Sequence, residues 1–156
     1  MTSMTQQIVP LTSEWLDDAA DLFIAVFNAD PWNDRWTLPT AHAMLSDLLN
    51  TPGYAGIACL EDGKLIGFAA GHRIRYFNGD SFYLKEMCVT ADRQRHGVGS
   101  QLMHALEASL RDTGVVTLFL LTMVAGMAES FYSHLGYHRS SRILQMSRRL
   151  NTGKGG

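Results

Sequence analysis

The sequence predicts a mixed α/β fold, in which a mostly antiparallel sheet contains one parallel strand pair and is flanked by about four helices. Two glycine turns, Asp62-Gly63 and Asn78-Gly79, separate apolar strand-like segments and are typical of β-hairpins. Apolar residues recur at helical spacing in segments before and after these hairpins. An apolar segment, Val115 to Leu121, directly follows one of the predicted helices. It therefore predicts a strand with a parallel partner.

The first third of the chain predicts one strand and two helices before the main sheet. Gln7 to Leu11 is the opening strand, and Thr12 or Ser13 caps the helix that follows. Asn28 to Trp36 is predicted as a loop, and Pro39 to Leu49 as the second helix, because proline is tolerated in a first helical turn. The apolar stripe of the first helix consists of Leu16, Ala20, Phe23 and Phe27.

The middle of the chain predicts three antiparallel strands and a long helix. The strands are Tyr54 to Leu60, Leu65 to Tyr76 and Ser81 to Val89. The helix begins near Gly97 and ends at Gly114, a residue suited to a left-handed C-terminal cap.

The last third predicts a strand, a short helix and a terminal hairpin. Val115 to Leu121 is apolar throughout, so we expect it to be buried on both faces and to pair with Ser81 to Val89. A helix is expected over about Met127 to Leu135. Tyr137 to Arg139 and Ile143 to Arg149 predict a hairpin pair.

Length and composition favour one compact domain over residues 1–156. The 156 residues are 46% apolar and carry a net charge of −2, which gives no basic field for nucleic acid or an anionic membrane. Cys59 and Cys88 lie in apolar segments, as buried free thiols do, and favour the reducing cytoplasm. The histidines lack metal-ligand spacing, so no metal is expected. Residues 151–156 are glycine-rich and predict a flexible tail.

The segment from Gln94 to Ser100 carries the most specific functional signal. It lies between a predicted strand and a predicted helix, where Gly97 and Gly99 allow close approach of a ligand and the first helical turn offers unpaired N–H groups. No Lys-Ser or Lys-Thr pair follows, as a P-loop requires, and Leu102 occupies the third glycine position of a dinucleotide fingerprint. The loop therefore predicts a phosphorylated ligand that is neither ATP nor NAD.

The remaining pattern is Q/R-x-x-G-x-G/A, formed by Gln94, Gly97 and Gly99. Arg93 and Arg95 stand beside these residues and are expected to meet phosphate charge. This places a basic, glycine-containing loop directly before a helix.

A second motif lies downstream, in the predicted short helix and just beyond it. Phe131-Tyr132 followed by Leu135-Gly136-Tyr137 is similar to an F-Y-x-x-x-G-F/Y signature. With the glycine loop and the order of elements from about Lys64 to Leu150, this motif makes the chain resemble the GNAT superfamily of acyl-CoA N-acyltransferases.

The resemblance implies acetyl-CoA as co-substrate, with its pyrophosphate on the loop. It also implies that two parallel strands splay apart and leave a wedge for the pantetheine arm. Ser100 is either a phosphate ligand or an ordinary first-turn residue, and His96 is either a ligand or a solvated loop residue. The expected cofactor-binding residues are Met87, Cys88 and Val89 in the wedge and Gln94, Arg95, His96, Gly97, Val98, Gly99 and Ser100 in the loop.

Acyl transfer to an amine needs a base, an oxyanion donor and an acid for the thiolate. By resemblance Tyr132 is the acid, or else an aromatic packing residue beside Phe131. Glu86 is the candidate base, because burial raises the pKa of a carboxyl group. Expected on one strand face with Leu84 and Cys88, it is otherwise a partner in an ion pair with a neighbouring strand. The amide of Val89 or of its neighbour is the expected oxyanion donor.

The acceptor is expected to contact the acidic aromatic loop between the first two helices. Trp32 and Trp36 either form a wall that attracts a cationic amine or close the bottom of the core. Tyr83 is a further candidate from the hairpin region. Loop residues of this kind determine specificity more often than the residues of the scaffold.

These expectations define an N-acetyltransferase that transfers an acetyl group from acetyl-CoA to a primary amine, expected to be a small cationic amine of aminoglycoside or polyamine type. The alternatives are an acetyltransferase for peptide or protein N-termini or lysines, and a non-catalytic acyl-CoA-binding module. The expected partner is a small-molecule amine, with no nucleic acid and no membrane. The resemblance is also consistent with a homodimer formed through the terminal hairpin.

Overall fold

The computed structural model describes residues 5–151 and divides into two compact units, Met1–Leu121 and Thr122–Gly156. The single domain over residues 1–156 stays a prediction. Of the predicted flexible tail, residues 152–156 lie outside the described residues.

The first unit contains a five-stranded sheet with the strand order β1-β2-β3-β4-β5. Neighbouring strands are antiparallel except β4 and β5, which are parallel. The predicted fold class is therefore confirmed. The elements are β1 (Gln6–Pro10), α1 (Leu16–Phe27), α2 (Leu38–Leu49), β2 (Tyr54–Glu61), β3 (Lys64–Ile74), β4 (Asp80–Val89), α3 (Val98–Leu110) and β5 (Val115–Leu120).

Helices α1 and α2 cover one face of the sheet. A reciprocal capping box between Thr37 and Thr40 starts α2, with Pro39 in its first turn. Buried apolar side chains from both helices pack with Phe68, Ala70 and other strand residues in one core cluster. Burial of this apolar surface is the main force that holds the two helices on the sheet.

Helix α3 covers the other face. Its stripe of buried residues packs over β2, β3 and β4. Gly67 of β3 makes close approach possible, because a Cβ atom there would lie 3.1 Å from both Leu102 Cδ1 and the Cys88 carbonyl oxygen. The stripe consists of Val98, Leu102, Met103, Leu106 and Leu110.

Strand β5 differs from its prediction, since it is not buried on both faces. Val116 is 68% exposed, and Phe119 and Leu121 are exposed as well. Within residues 5–151, β5 pairs only with β4 and is therefore an edge strand of the sheet. An apolar sequence shows that a strand tolerates burial, but the neighbouring elements decide whether it is buried.

The parallel pair ends before β4 does. Pairing runs from Asp80 and Val115 to Leu84 and Leu120, and β5 stops there while β4 continues to Val89. In the described chain, the last residues of β4 consequently have no strand partner on the β5 side. This free end of β4 lies where the resemblance implied a wedge between the two strands.

The described part of the second unit, residues 122–151, contains one helix, α4 (Met127–His134). The predicted terminal hairpin is wrong, because residues 137–151 contain no helix or strand. Ile143, Leu144 and Met146 are all more than three-quarters exposed, so the segment lacks the buried apolar face that stabilises a hairpin. No helix within residues 5–151 combines the length and apolarity needed to cross a membrane.

Candidate active site

The candidate base, Glu86, is positioned by a β-bulge in β4. Ala70 of β3 pairs with Glu86, whereas its neighbour Gly71 pairs with Leu84, so Lys85 is an extra residue. A shift of one residue reverses the face that each following side chain takes. Glu86 therefore lies on the sheet face covered by α1 and α2, opposite to Leu84, which corrects the prediction that these two share a face.

The environment of Glu86 favours the protonated carboxyl. Burial raises its pKa to about 7, the positive charge of Lys85 opposes this rise, and the negative charge of Asp34 adds to it. The carboxylate has no hydrogen bond or ion pair within the described chain. The interstrand ion pair that the sequence left open is thus not formed there, and the group is poised to exchange a proton near neutral pH.

Aromatic rings lie on the same face, next to Glu86. Tyr83 stacks on Phe119 of β5 with ring centroids 5.0 Å apart and contacts His72 of β3 edge to face at 5.8 Å. Burial and the charge of Glu86 raise the pKa of Tyr83, so the phenol is neutral at physiological pH. The rings form an apolar border at the point where β4 and β5 separate.

The loop between α1 and α2 brings an acidic group toward this face. Asn28 fixes the loop, because its side chain bonds both the N–H and the C=O of Trp36 at 2.9 Å. The Asp34 amide donates to the Phe27 carbonyl at 2.9 Å, and the Trp36 indole donates to the Asp34 carboxylate at 3.1 Å. Asp34 is thereby held where its charge raises the pKa of Glu86.

The two tryptophans pack on α1. Trp36 meets Phe23 edge to face at 5.0 Å and is half-buried against the core cluster. Trp32 meets Phe27 at 5.0 Å and stays 39% exposed. Trp36 therefore packs against the core, which is one of the two roles that the sequence left open for the tryptophans. Trp32 keeps a ring surface accessible to an acceptor.

Backbone groups of β4 are available where the strands separate. The Thr90 amide donates to Ile66 of β3 at 2.8 Å, and backbone direction alternates along a strand, so Met87 and Val89 direct their amides away from β3. The Gln94 side chain bonds the Val89 carbonyl at 3.0 Å and ties the following loop to this strand. The side chain of Cys88, in contrast, is buried in the core and is not directed into the gap.

The glycine loop delivers free N–H groups at the start of α3. Arg95 and Gly97 both adopt left-handed backbone conformations, with φ of 67° and 82°. The first helical bond runs from Gln101 to the Gly97 carbonyl at 3.0 Å, and no side chain caps the helix. The preceding amides, those of Val98, Gly99 and Ser100, therefore lie at an uncapped, positively polarised helix end.

Arg93, which is expected to meet phosphate charge, is paired in the structure with a carboxylate. Its Nε and terminal nitrogen lie 2.8 and 2.6 Å from Glu61 Oε2, at the end of β2. This ion pair occupies the guanidinium. Arg95 and His96, which follow in the loop, are exposed.

Tyr132 lies in α4 of the second unit. It is buried, and its ring contacts Phe131 at 5.0 Å and Tyr137 at 5.8 Å, both edge to face. The packing partner that the sequence suggested is therefore present. Its catalytic role stays a prediction.

The family of the chain follows from a comparison with known protein families. The sequence model of the acetyltransferase (GNAT) family matches residues 14–137. The chain belongs to this family. It is an acyl-CoA-dependent N-acetyltransferase, and acetyl-CoA is its co-substrate.

Solved GNAT structures share the fold. The aminoglycoside N-acetyltransferase AAC(6')-Iy in complex with CoA has a TM-score of 0.75 at 19% identity, with 96% of this chain and 98% of that chain covered. An aminoglycoside acetyltransferase from an uncultured soil metagenomic sample, in complex with sisomicin, gives 0.72 at 18% identity, with 94% and 97% covered. A probable acetyltransferase gives 0.78 at 19% identity, with 93% and 98% covered. No curated protein sequence matches the chain.

Sequence reasoning missed several groups in or near the candidate site. The local pattern places Phe119 only in a strand and Asp34 only in an acidic loop. Phe119 reaches Tyr83 through the parallel pairing of β4 and β5, and Asp34 comes near Glu86 through the fold of the loop between α1 and α2. Neither arrangement leaves a local pattern in the sequence. Glu61 was also missed, although a charged residue directly before a hairpin turn is visible in the sequence. Among residues 5–151, no cluster of metal-ligating side chains occurs.

Proposed function

We propose that this GNAT enzyme transfers an acetyl group from acetyl-CoA to a primary amine of a small cationic molecule, of aminoglycoside or polyamine type. The observation that carries the proposal is the half-buried Glu86 at the β4 bulge, unpaired and near the carboxylate of Asp34. Two carboxylates beside aromatic rings attract a cation and also provide a proton acceptor.

The donor is assigned to the splayed end of β4 and to the glycine loop. The amides of Met87 and Val89 suit hydrogen bonding to an extended pantetheine arm, which replaces the missing strand. The α3 amides of Val98, Gly99 and Ser100 suit the pyrophosphate, with Arg95 adding positive charge. The buried Cys88 contributes to this site through packing of the strand.

In the chemical step, each proton transfer has a candidate residue. Glu86 takes one proton from the ammonium group, and the neutral nitrogen attacks the thioester carbonyl carbon to form the C–N bond of a tetrahedral intermediate. The Val89 amide donates to the developing oxyanion. The C–S bond then breaks as the C=O bond re-forms, the CoA thiolate receives the phenolic proton of Tyr132, and the second nitrogen proton passes to the Tyr132 phenolate. The Tyr132 assignment is based on the F-Y-x-x-x-G-Y motif alone.

An acceptor panel tests the proposal. Thiol release from acetyl-CoA is measured with aminoglycosides, polyamines, uncharged primary amines, and peptides with free N-termini or lysines. We expect turnover to be highest with the small polycations and to fall as salt rises, because exposed charge attraction is screened. Preference for peptides would favour the protein acetyltransferase, and acetyl-CoA binding without thiol release would contradict the proposal.

A further inference from the structure

The ion pair between Glu61 and Arg93 joins two parts of the first unit that are distant in the sheet. Glu61 ends β2, and Arg93 ends the short turn after β4, so the pair passes over the intervening strand β3. The Glu61 side chain is only 9% exposed and that of Arg93 is 26% exposed. Gln6 of β1 bonds the other Glu61 oxygen at 3.4 Å.

The pair lies directly before the glycine loop. Arg93 precedes Gln94, whose side chain is bonded to the Val89 carbonyl, and three residues later Gly97 starts α3. The loop is therefore fixed at two points, on β2 by Arg93 and on β4 by Gln94. Between these points and the helix, Arg95 adopts a left-handed conformation that no helix or strand bonds hold in place.

We propose that Glu61 and Arg93 are positioning residues that hold the glycine loop in the geometry that binds the CoA pyrophosphate. The inference rests on the proposed assignment of the pyrophosphate to this loop. Arg93 acts through its bond to Glu61 and does not itself contact the phosphate. Its charge is already compensated, whereas the exposed Arg95 is available to an anion.

Substitution of Glu61 distinguishes a positioning role of Arg93 from a phosphate-binding role, because the two roles predict opposite changes in acetyl-CoA binding. If Arg93 is a positioning residue, Glu61→Gln and Arg93→Gln both weaken donor binding, because either one breaks the same pair. If Arg93 is a phosphate ligand, Glu61→Gln releases its guanidinium and binding improves or stays unchanged. The direction of the Glu61→Gln effect therefore decides between the roles.

The experiment compares two donors, acetyl-CoA and S-acetyl-pantetheine, which lacks the pyrophosphate. We expect Glu61→Gln and Arg93→Gln each to raise the KM for acetyl-CoA about tenfold with little change in kcat, the loss associated with one charge-assisted bond. Turnover with S-acetyl-pantetheine should stay at the wild-type level. Asp92→Asn is the matched control, since Asp92 is 73% exposed and meets Arg93 only at 3.4 Å.

Arg95→Glu tests the underlying assignment independently. If the loop binds the pyrophosphate, this substitution should raise the KM for acetyl-CoA and leave the KM for S-acetyl-pantetheine unchanged. If Arg95→Glu affects both donors equally, the loop assignment fails and this inference fails with it. If Arg95→Glu discriminates between the donors but Glu61→Gln leaves or improves acetyl-CoA binding, the assignment stands and the positioning role is overturned. Equal loss with both donors in Glu61→Gln, with a lower Tm, would show a merely structural role.

Discussion

The proposed donor and acceptor regions of this enzyme are built from different parts of the polypeptide. The donor region consists mainly of backbone amides, at the free end of β4 and in the first turn of α3. The acceptor region consists of side chains, with Glu86 at a strand bulge, Tyr83 stacked on Phe119, and Asp34 on a loop fixed by Asn28. Backbone sites depend on where glycines and helix ends fall, whereas side-chain sites depend on which residues tertiary packing brings together.

This difference predicts which substitutions should impair catalysis or acetyl-CoA binding in each region. In the acceptor region, loss of a single functional group should stop proton transfer. In the donor region, most side-chain changes should leave the amides in place, and binding should weaken when the backbone conformation of the loop, the residues that hold it or the charge of Arg95 change. The following predictions test this division.

The largest effect is expected for Glu86→Gln. The amide keeps the shape of the side chain but cannot accept a proton, so kcat should fall about 10²-fold, at the lower end of general-base contributions. Steady-state kinetics with saturating acetyl-CoA measure the change. Glu14→Gln replaces an exposed carboxylate outside the site and serves as the control. A variant with wild-type kcat would remove Glu86 from the mechanism.

Tyr132→Phe is expected to have the next largest effect. Loss of the phenolic proton should lower kcat roughly 10-fold or somewhat more, because a thiolate is a good leaving group and needs less assistance than most. Tyr137→Phe removes the hydroxyl of a ring in contact with Tyr132 and is the matched control. If both variants lose activity equally, packing in α4 explains the loss and the acid role is contradicted.

In the donor region, Gly97→Val should raise the KM for acetyl-CoA roughly tenfold, since strain of 1–3 kcal/mol opposes the left-handed conformation that starts α3. Gly63→Val is the control, because Gly63 has a similar φ of 79° and equally open surroundings, but lies in the hairpin turn between β2 and β3. Both variants should lose stability to a similar degree in thermal unfolding. An equal KM for acetyl-CoA in the two variants would contradict a backbone-built donor site.

The proposed donor region is marked by a local sequence pattern, whereas the surroundings of Glu86 are not. Gly97 at the cap of α3 and Gly99 in its first turn form a local pattern, from which both the loop and the family can be predicted. The bulge at Lys85 could not be predicted in this way. It arises because Leu84 and Glu86 pair with the adjacent residues Gly71 and Ala70, and this changes the face of Glu86 without any mark in the local sequence. The terminal hairpin after Gly136 failed for a related reason, since alternating apolar residues do not form strands without a surface to cover.

The smallest effect is expected for Asp34→Asn. Removing this negative charge lowers the pKa of Glu86, so the pH at half-maximal kcat/KM should move downward. The KM for a polycationic acceptor should rise about threefold, the loss associated with one partly screened charge. An uncharged amine should show little change in KM. Asp30→Asn, in the same loop, is the control, and equal shifts in both variants would indicate a general charge effect.

The most direct test of the account is the pH dependence of kcat/KM for an acceptor whose amine does not titrate between pH 5 and 8. Because Glu86 must be deprotonated to act as a base and its pKa is raised to about 7, wild-type activity should rise with pH through that value. In Glu86→Gln the rise should be absent and the residual activity flat. If Glu86→Gln retains the same rise near pH 7, another group is the base, and the acceptor site described for this enzyme is wrong.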